Sequence, residues 1–74
     1  MERNPETLVG WEFPAADGGN YGIQLVEYVP SDGEYVTRAV VWSTGEYLDG
    51  IVRTITPFKL SYRYNTNIRR RIKV

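Results

Sequence analysis

The sequence of 74 residues contains no cysteine and no histidine. Their absence excludes disulfides, thiol redox chemistry, Ser-His and Cys-His nucleophiles, and zinc sites of the ordinary kind. A glycine-rich phosphate motif of the P-loop or dinucleotide type is also missing. Three of the acidic residues, Asp17, Asp32 and Asp49, precede a glycine, where turn geometry accounts for an aspartate. We therefore expect no enzymatic activity, no metal site and no cofactor.

Long apolar segments are missing as well. No run of apolar residues is long enough to span a membrane. The first six residues, MERNPE, lack the apolar stretch of a signal peptide. We expect a protein without membrane contact, with the cytoplasm as its default location.

Short length limits the domain organisation. A chain of 74 residues makes one domain at most, and its small core gives marginal stability. Two tryptophans, two phenylalanines and six tyrosines supply large apolar side chains for that core. Residues 1–7 are polar and predict a loose N-terminal tail, whereas residues 8–74 predict a single small β domain.

Runs of β-branched and aromatic residues between turn residues predict short strands. We place them at residues 8–13, 21–29, 34–43 and 47–56. The alternation slips near Leu25–Val26, which predicts a bulge, and Asp49-Gly50 predicts either a bulge or a second turn. Pro57 cannot donate to a sheet ladder and marks a strand boundary or an edge.

A C-terminal hairpin is the element that the pattern predicts most fully. Residues 58–64 (FKLSYRY) alternate strictly, residues 68–74 (IRRRIKV) alternate except at Arg70, and Asn65-Thr66-Asn67 suits a three-residue loop. Pairing Tyr64 with Ile68 fixes the register, because side chains alternate between faces along a strand. One face then gathers five cations: Lys59, Arg63, Arg69, Arg71 and Lys73.

These elements predict an all-β fold. We expect a small five- to six-stranded antiparallel barrel or strongly bent sheet, SH3-like or OB-like in general shape, that ends in the basic hairpin. Full or partial closure would protect the strand edges. An open sheet capped by a partner is the alternative.

Charge is divided between the two ends of the chain. Residues 1–50 hold all nine acidic residues and two arginines, and residues 51–74 hold the other seven basic residues and no acid. Like charges opposite each other on the hairpin would destabilise it by up to about 1 kcal/mol per pair. Three explanations stay open: screening by solvent and salt, an external anionic partner, or acids of an adjacent strand. The candidate acids are Glu12, Glu27, Glu34 and Glu46.

The leading functional hypothesis is a non-enzymatic protein-interaction module of the inhibitor or adaptor type. It would bind a protein with an acidic surface through the five cations of the hairpin face. The alternative is a small barrel that binds nucleic acid with the same face, with Tyr62, Tyr64 and Trp11 as candidate stacking residues. Zero net charge favours the protein partner. The dipolar layout also favours self-association.

Overall fold

The computed structural model describes residues 5–67 and the backbone of residues 70–71. Four antiparallel strands form one open sheet, and a short helix follows them. The strands are β1 (Trp11–Pro14), β2 (Tyr21–Val29), β3 (Glu34–Val41) and β4 (Glu46–Ile55), and the helix is α1 (Pro57–Arg63). A two-residue segment, β5 (Arg70–Arg71), pairs with β1, which gives the order β4-β3-β2-β1-β5.

The predicted all-β class is confirmed in its coarse form. The described residues are mainly strand, and successive strands from β1 to β4 pair antiparallel through loops of four to six residues. A five- to six-stranded barrel is not shown, because the described strands form one open sheet with β4 at its edge.

The bulge predicted in the second strand is confirmed. Leu25 pairs with Thr37 and Glu27 pairs with Val36, so Val26 is an extra residue on β2. An extra residue reverses the face to which each following side chain points. The bulge therefore explains the slip in the apolar alternation. The predicted bounds of this strand, residues 21–29, are also confirmed.

The interruption predicted at Asp49-Gly50 is a bulge rather than a turn. Ala39 pairs with Leu48, but Arg38 pairs with Val52, so three residues of β4 lie between consecutive pairs. Gly50 has φ +85°, a conformation that glycine adopts without steric cost. Both halves of β4 therefore stay paired with β3.

The main core lies on one face of the sheet. Phe13, Leu25, Tyr35 and Ile55 supply its strand residues, together with Ile23. Leu60 of α1 packs onto this cluster, and Leu8 and Val9, at the end of a 3₁₀ turn (Pro5–Leu8), pack beside it. We call this side of the sheet the core face and the other side the second face.

The N-terminal turn holds part of the segment predicted as a tail. The Tyr35 hydroxyl donates a 2.7 Å hydrogen bond to the Pro5 carbonyl. This bond joins the start of the described chain to the core, whereas residues 1–4 lie outside the described residues.

The predicted C-terminal hairpin is wrong. Its first strand, residues 58–64, is instead the helix α1 and its C-terminal cap residue, Tyr64. Alternation over seven residues also satisfies helical spacing, since Phe58 and Tyr62, like Leu60 and Tyr64, are four residues apart. Of the predicted second strand, only the backbone of Arg70–Arg71 is described, and it pairs with β1 rather than with residues 58–64.

Candidate interaction surface

Helix α1 begins at a specific capping structure. The Thr56 hydroxyl accepts a 3.2 Å hydrogen bond from the Lys59 amide, which has no partner within the helix. Pro57 occupies the first turn, where its missing N–H costs nothing and its fixed φ suits a helix. Thr56 and Pro57 therefore end β4 and direct the chain into α1.

Only one residue of α1 is buried. Leu60, at 2% exposure, holds the helix against the core face, and Tyr64 packs partly on the same cluster. Phe58 and Tyr62 lie one turn apart, with 73% and 55% of their surface exposed. Their rings meet edge to face at 5.2 Å between centroids. The helix thus presents an exposed aromatic pair to solvent.

Two cations accompany this aromatic pair. Lys59 and Arg63 are exposed and lie one turn apart on α1. Neither makes an ion pair with any of the described residues. We call the set Phe58, Lys59, Tyr62 and Arg63 the α1 surface. In the predicted hairpin Tyr62 lies on the face opposite Lys59 and Arg63, whereas the helix brings the three residues together on one surface.

A shallow groove runs beside the α1 surface. Its volume is about 400 Å³, and Tyr21, Tyr62, Arg63 and Tyr64 line it together with Asp17. The Ala16 amide donates a 3.0 Å hydrogen bond to the Arg63 carbonyl, which fixes the end of α1 against the loop after β1. This bond therefore joins the two walls of the groove, the end of α1 and the loop after β1.

The other predicted binding residues lie elsewhere. Trp11 is half-buried on β1 and packs against the core cluster, and it does not line the groove beside α1. The backbone of Arg71 pairs with Trp11. Arg69 and Lys73 lie outside the described residues. The structure thus brings together two of the five predicted cations.

The acids considered as internal counter-charges do not pair with Lys59 or Arg63. Glu27 and Glu46 are exposed, and Glu34 is half-buried at the start of β3. Glu12 is buried, and the backbone register sets it opposite Arg70. Within the described residues, the cations of α1 are consequently left for solvent or a partner.

A polar network on the second face was not found by sequence reasoning. The Tyr47 hydroxyl of β4 donates a short hydrogen bond to Glu12 of β1. The Arg38 guanidinium lies over the Tyr47 ring, 4.4 Å from its centroid. Strands β2 and β3 intervene, and the register offsets Tyr47 from Glu12 along the strands, so their Cα atoms would lie about 16 Å apart in a flat sheet. The contact therefore indicates a sheet that curls toward the second face.

Gln24 lies between Glu12 and Arg38 in the strand register. Its side chain is 6% exposed, and its Oε1 has no hydrogen-bond partner among the described residues. An unsatisfied buried acceptor costs about 1–3 kcal/mol. The network therefore orders the second face at some expense in stability. Its Arg38 also lines a cavity of about 230 Å³ beside the β4 bulge, whereas Glu12, Gln24 and Tyr47 do not line that cavity.

Comparison with protein-family models, with curated proteins and with solved structures finds no match. Among the described residues, no cluster of acidic side chains could hold a metal ion. In the same part of the chain, no helix is long and apolar enough to cross a membrane. The functional argument therefore rests on the surface of this molecule.

Proposed function

We propose that the protein is a non-enzymatic interaction module that binds a protein with an acidic surface through the α1 surface. The observation that carries this proposal is the exposed Phe58–Tyr62 pair beside two cations without internal ion pairs. Aromatic residues and arginine are enriched at binding hot spots, because they combine large contact area with directed polar groups. An acidic partner supplies the missing counter-charges.

The role is that of an inhibitor or adaptor. A small domain needs only a rigid surface for such a role, and α1 is fixed by its cap, by Leu60 and by the backbone contact to Ala16. Pre-ordered side chains lose less entropy on binding. A cytoplasmic location stays part of this proposal, and fractionation of the source cells tests it.

The charge requirement is tested by a pull-down from an extract of the source cells. We expect Lys59→Glu/Arg63→Glu to lose the partner captured by the wild-type protein, with a drop of at least about tenfold for two reversed contacts. Arg53→Glu is the control, because Arg53 is an exposed cation of β4 outside the α1 surface. Equal capture by the double variant contradicts the proposal.

Binding of single-stranded nucleic acid is the second candidate. The groove beside α1 favours it, because Tyr21 and Tyr62 are exposed next to Arg63 and bases stack on such rings. Asp17 in the same groove and the zero net charge weigh against it. Fluorescence anisotropy with mixed-sequence oligonucleotides at about 50 mM salt separates the two candidates. Tight, steeply salt-dependent binding that Tyr62→Ala weakens would replace the protein partner with nucleic acid.

A further inference from the structure

A second concavity lies on the core face, between β4 and the end of α1. Its volume is about 370 Å³, which is at the small end of the range for ligand pockets. Its apolar wall comes from three strands and the β4 bulge: Ile23, Ala39, Leu48 and Ile51. The bulge creates the space, because it separates Leu48 from Val52 along the edge of the sheet.

The polar groups of this cleft carry one sign of charge. Arg53 is its only charged residue among the described residues, and no carboxylate lines it. The Arg53 side chain is exposed and makes no ion pair with a described residue. Thr37, at 5% exposure, donates its hydroxyl to the Arg53 carbonyl at 3.2 Å, which anchors the backbone that carries the guanidinium. The cleft therefore combines an apolar pocket with one exposed cation.

We propose that this cleft binds a small amphipathic carboxylate, with the apolar body against Ile23, Ala39 and Leu48 and the carboxylate on the Arg53 guanidinium. Arginine matches a carboxylate through two parallel N–H···O bonds. Tyr21 and Tyr64 also line the cleft, and a tyrosine hydroxyl can donate a hydrogen bond to a carboxylate. Charge complementarity thus selects an anion over a neutral or cationic ligand of the same shape. This inference is independent of the partner proposed for the α1 surface.

Titration of the ¹⁵N-labelled protein with octanoate tests the proposal. We expect amide shifts at Ile23, Ala39 and Leu48 with a Kd on the order of 1 mM, as suits a ligand of about ten non-hydrogen atoms. Octylamine, with the same chain and the opposite charge, should bind at least about tenfold more weakly, and acetate should not shift these amides.

Two variants make the outcome decisive. Arg53→Gln should weaken octanoate binding about tenfold, because it removes the charged donor but keeps an exposed polar side chain. Arg38→Gln, which removes a cation from the second face, should leave binding unchanged. Equal affinity for octylamine, unchanged binding by Arg53→Gln, or octanoate shifts confined to α1 would each overturn the proposal. Failure here would leave the pull-down result for Lys59→Glu/Arg63→Glu untouched.

Discussion

Tyr35 shows how a single buried polar group joins distant parts of this chain. It is 1% exposed, its ring packs against Tyr28 at 5.0 Å, and its hydroxyl donates to the Pro5 carbonyl thirty residues away. Burial raises the pKa of the Tyr35 hydroxyl, and the nearby Tyr28 hydroxyl raises it further. The residue therefore links the stability of the fold to pH.

Tyr35 should make stability fall in alkaline solution. The raised pKa means that the folded state holds this proton more tightly than the unfolded state, whose tyrosine titrates near 10.0. Its contribution is thus fully present below pH 10.0 and is lost as pH rises through the folded pKa. Urea unfolding at several pH values should show a shallower alkaline decline for Tyr35→Phe than for the wild-type protein.

The same variant should lose about 1 kcal/mol of unfolding free energy at pH 7, because the Pro5 carbonyl loses its donor. Tyr62→Phe is the control, since Tyr62 is exposed, and it should leave stability at pH 7 unchanged. Identical alkaline slopes for Tyr35→Phe and wild type would show that Tyr35 does not carry this dependence.

Among the secondary-structure elements, α1 depends most clearly on a short stretch of sequence, the N-terminal cap at Thr56. Residues 57–63 bury only Leu60, so packing alone gives the helix little support. The cap at Thr56 satisfies the Lys59 amide, and removing such a cap costs about 1 kcal/mol. Thr56 thus stabilises the helix that holds the exposed aromatic pair in position.

Thr56→Ala should lower the free energy of unfolding by about 1 kcal/mol and weaken the helical Cα chemical shifts of residues 57–63. Thr56→Ser keeps the hydroxyl and should retain most of the free energy of unfolding and of the helical Cα shifts. This control separates loss of the cap from loss of the side-chain methyl group. Helical shifts that are unchanged in Thr56→Ala would contradict the role given to the cap.

Strands β2, β3 and β4 could be predicted to within two residues because their signals are local, whereas the strand predicted at residues 8–13 is a 3₁₀ turn followed by β1 at Trp11–Pro14. The bounds of β2, its bulge at Val26 and the break at Gly50 all follow from alternation and turn residues. The hairpin could not be excluded in this way, because FKLSYRY satisfies both strand and helix spacing. Thr56-Pro57 carried the deciding helix-start signal, and it was missed.

The sites were only partly predictable. The hairpin register predicts Lys59 and Arg63 on one face and Tyr62 on the other, whereas the helix brings the three residues together. The Glu12–Tyr47 contact depends on how the sheet curls, which alternation does not specify. The cleft at Arg53 depends on the β4 bulge and on the position of α1, two elements that meet only in the folded chain.

For the whole molecule, the structure arranges the basic residues of the C-terminal third differently from the predicted hairpin. The basic end of the chain is not a two-stranded ribbon, since its described part splits into α1 and a short pairing of Arg70–Arg71 beside β1. Glu12 lies opposite Arg70 in that register, so one residue of the acidic part of the chain and one of the basic part are neighbours at this edge of the sheet. Lys59 and Arg63 make no ion pair with a described acid, and in our proposal a partner supplies their counter-charges.

Site-specific photo-crosslinking in the source cells tests the proposed partner surface most directly. p-Benzoylphenylalanine is placed at Phe58 and, as a control, at Val52, because the two residues are 73% and 72% exposed on different parts of the molecule. We predict a protease-sensitive, nuclease-resistant product from position 58 alone, and its loss when Lys59→Glu/Arg63→Glu is added. A nuclease-sensitive product, an equal product from position 52, or a product that survives the charge reversal would contradict the account.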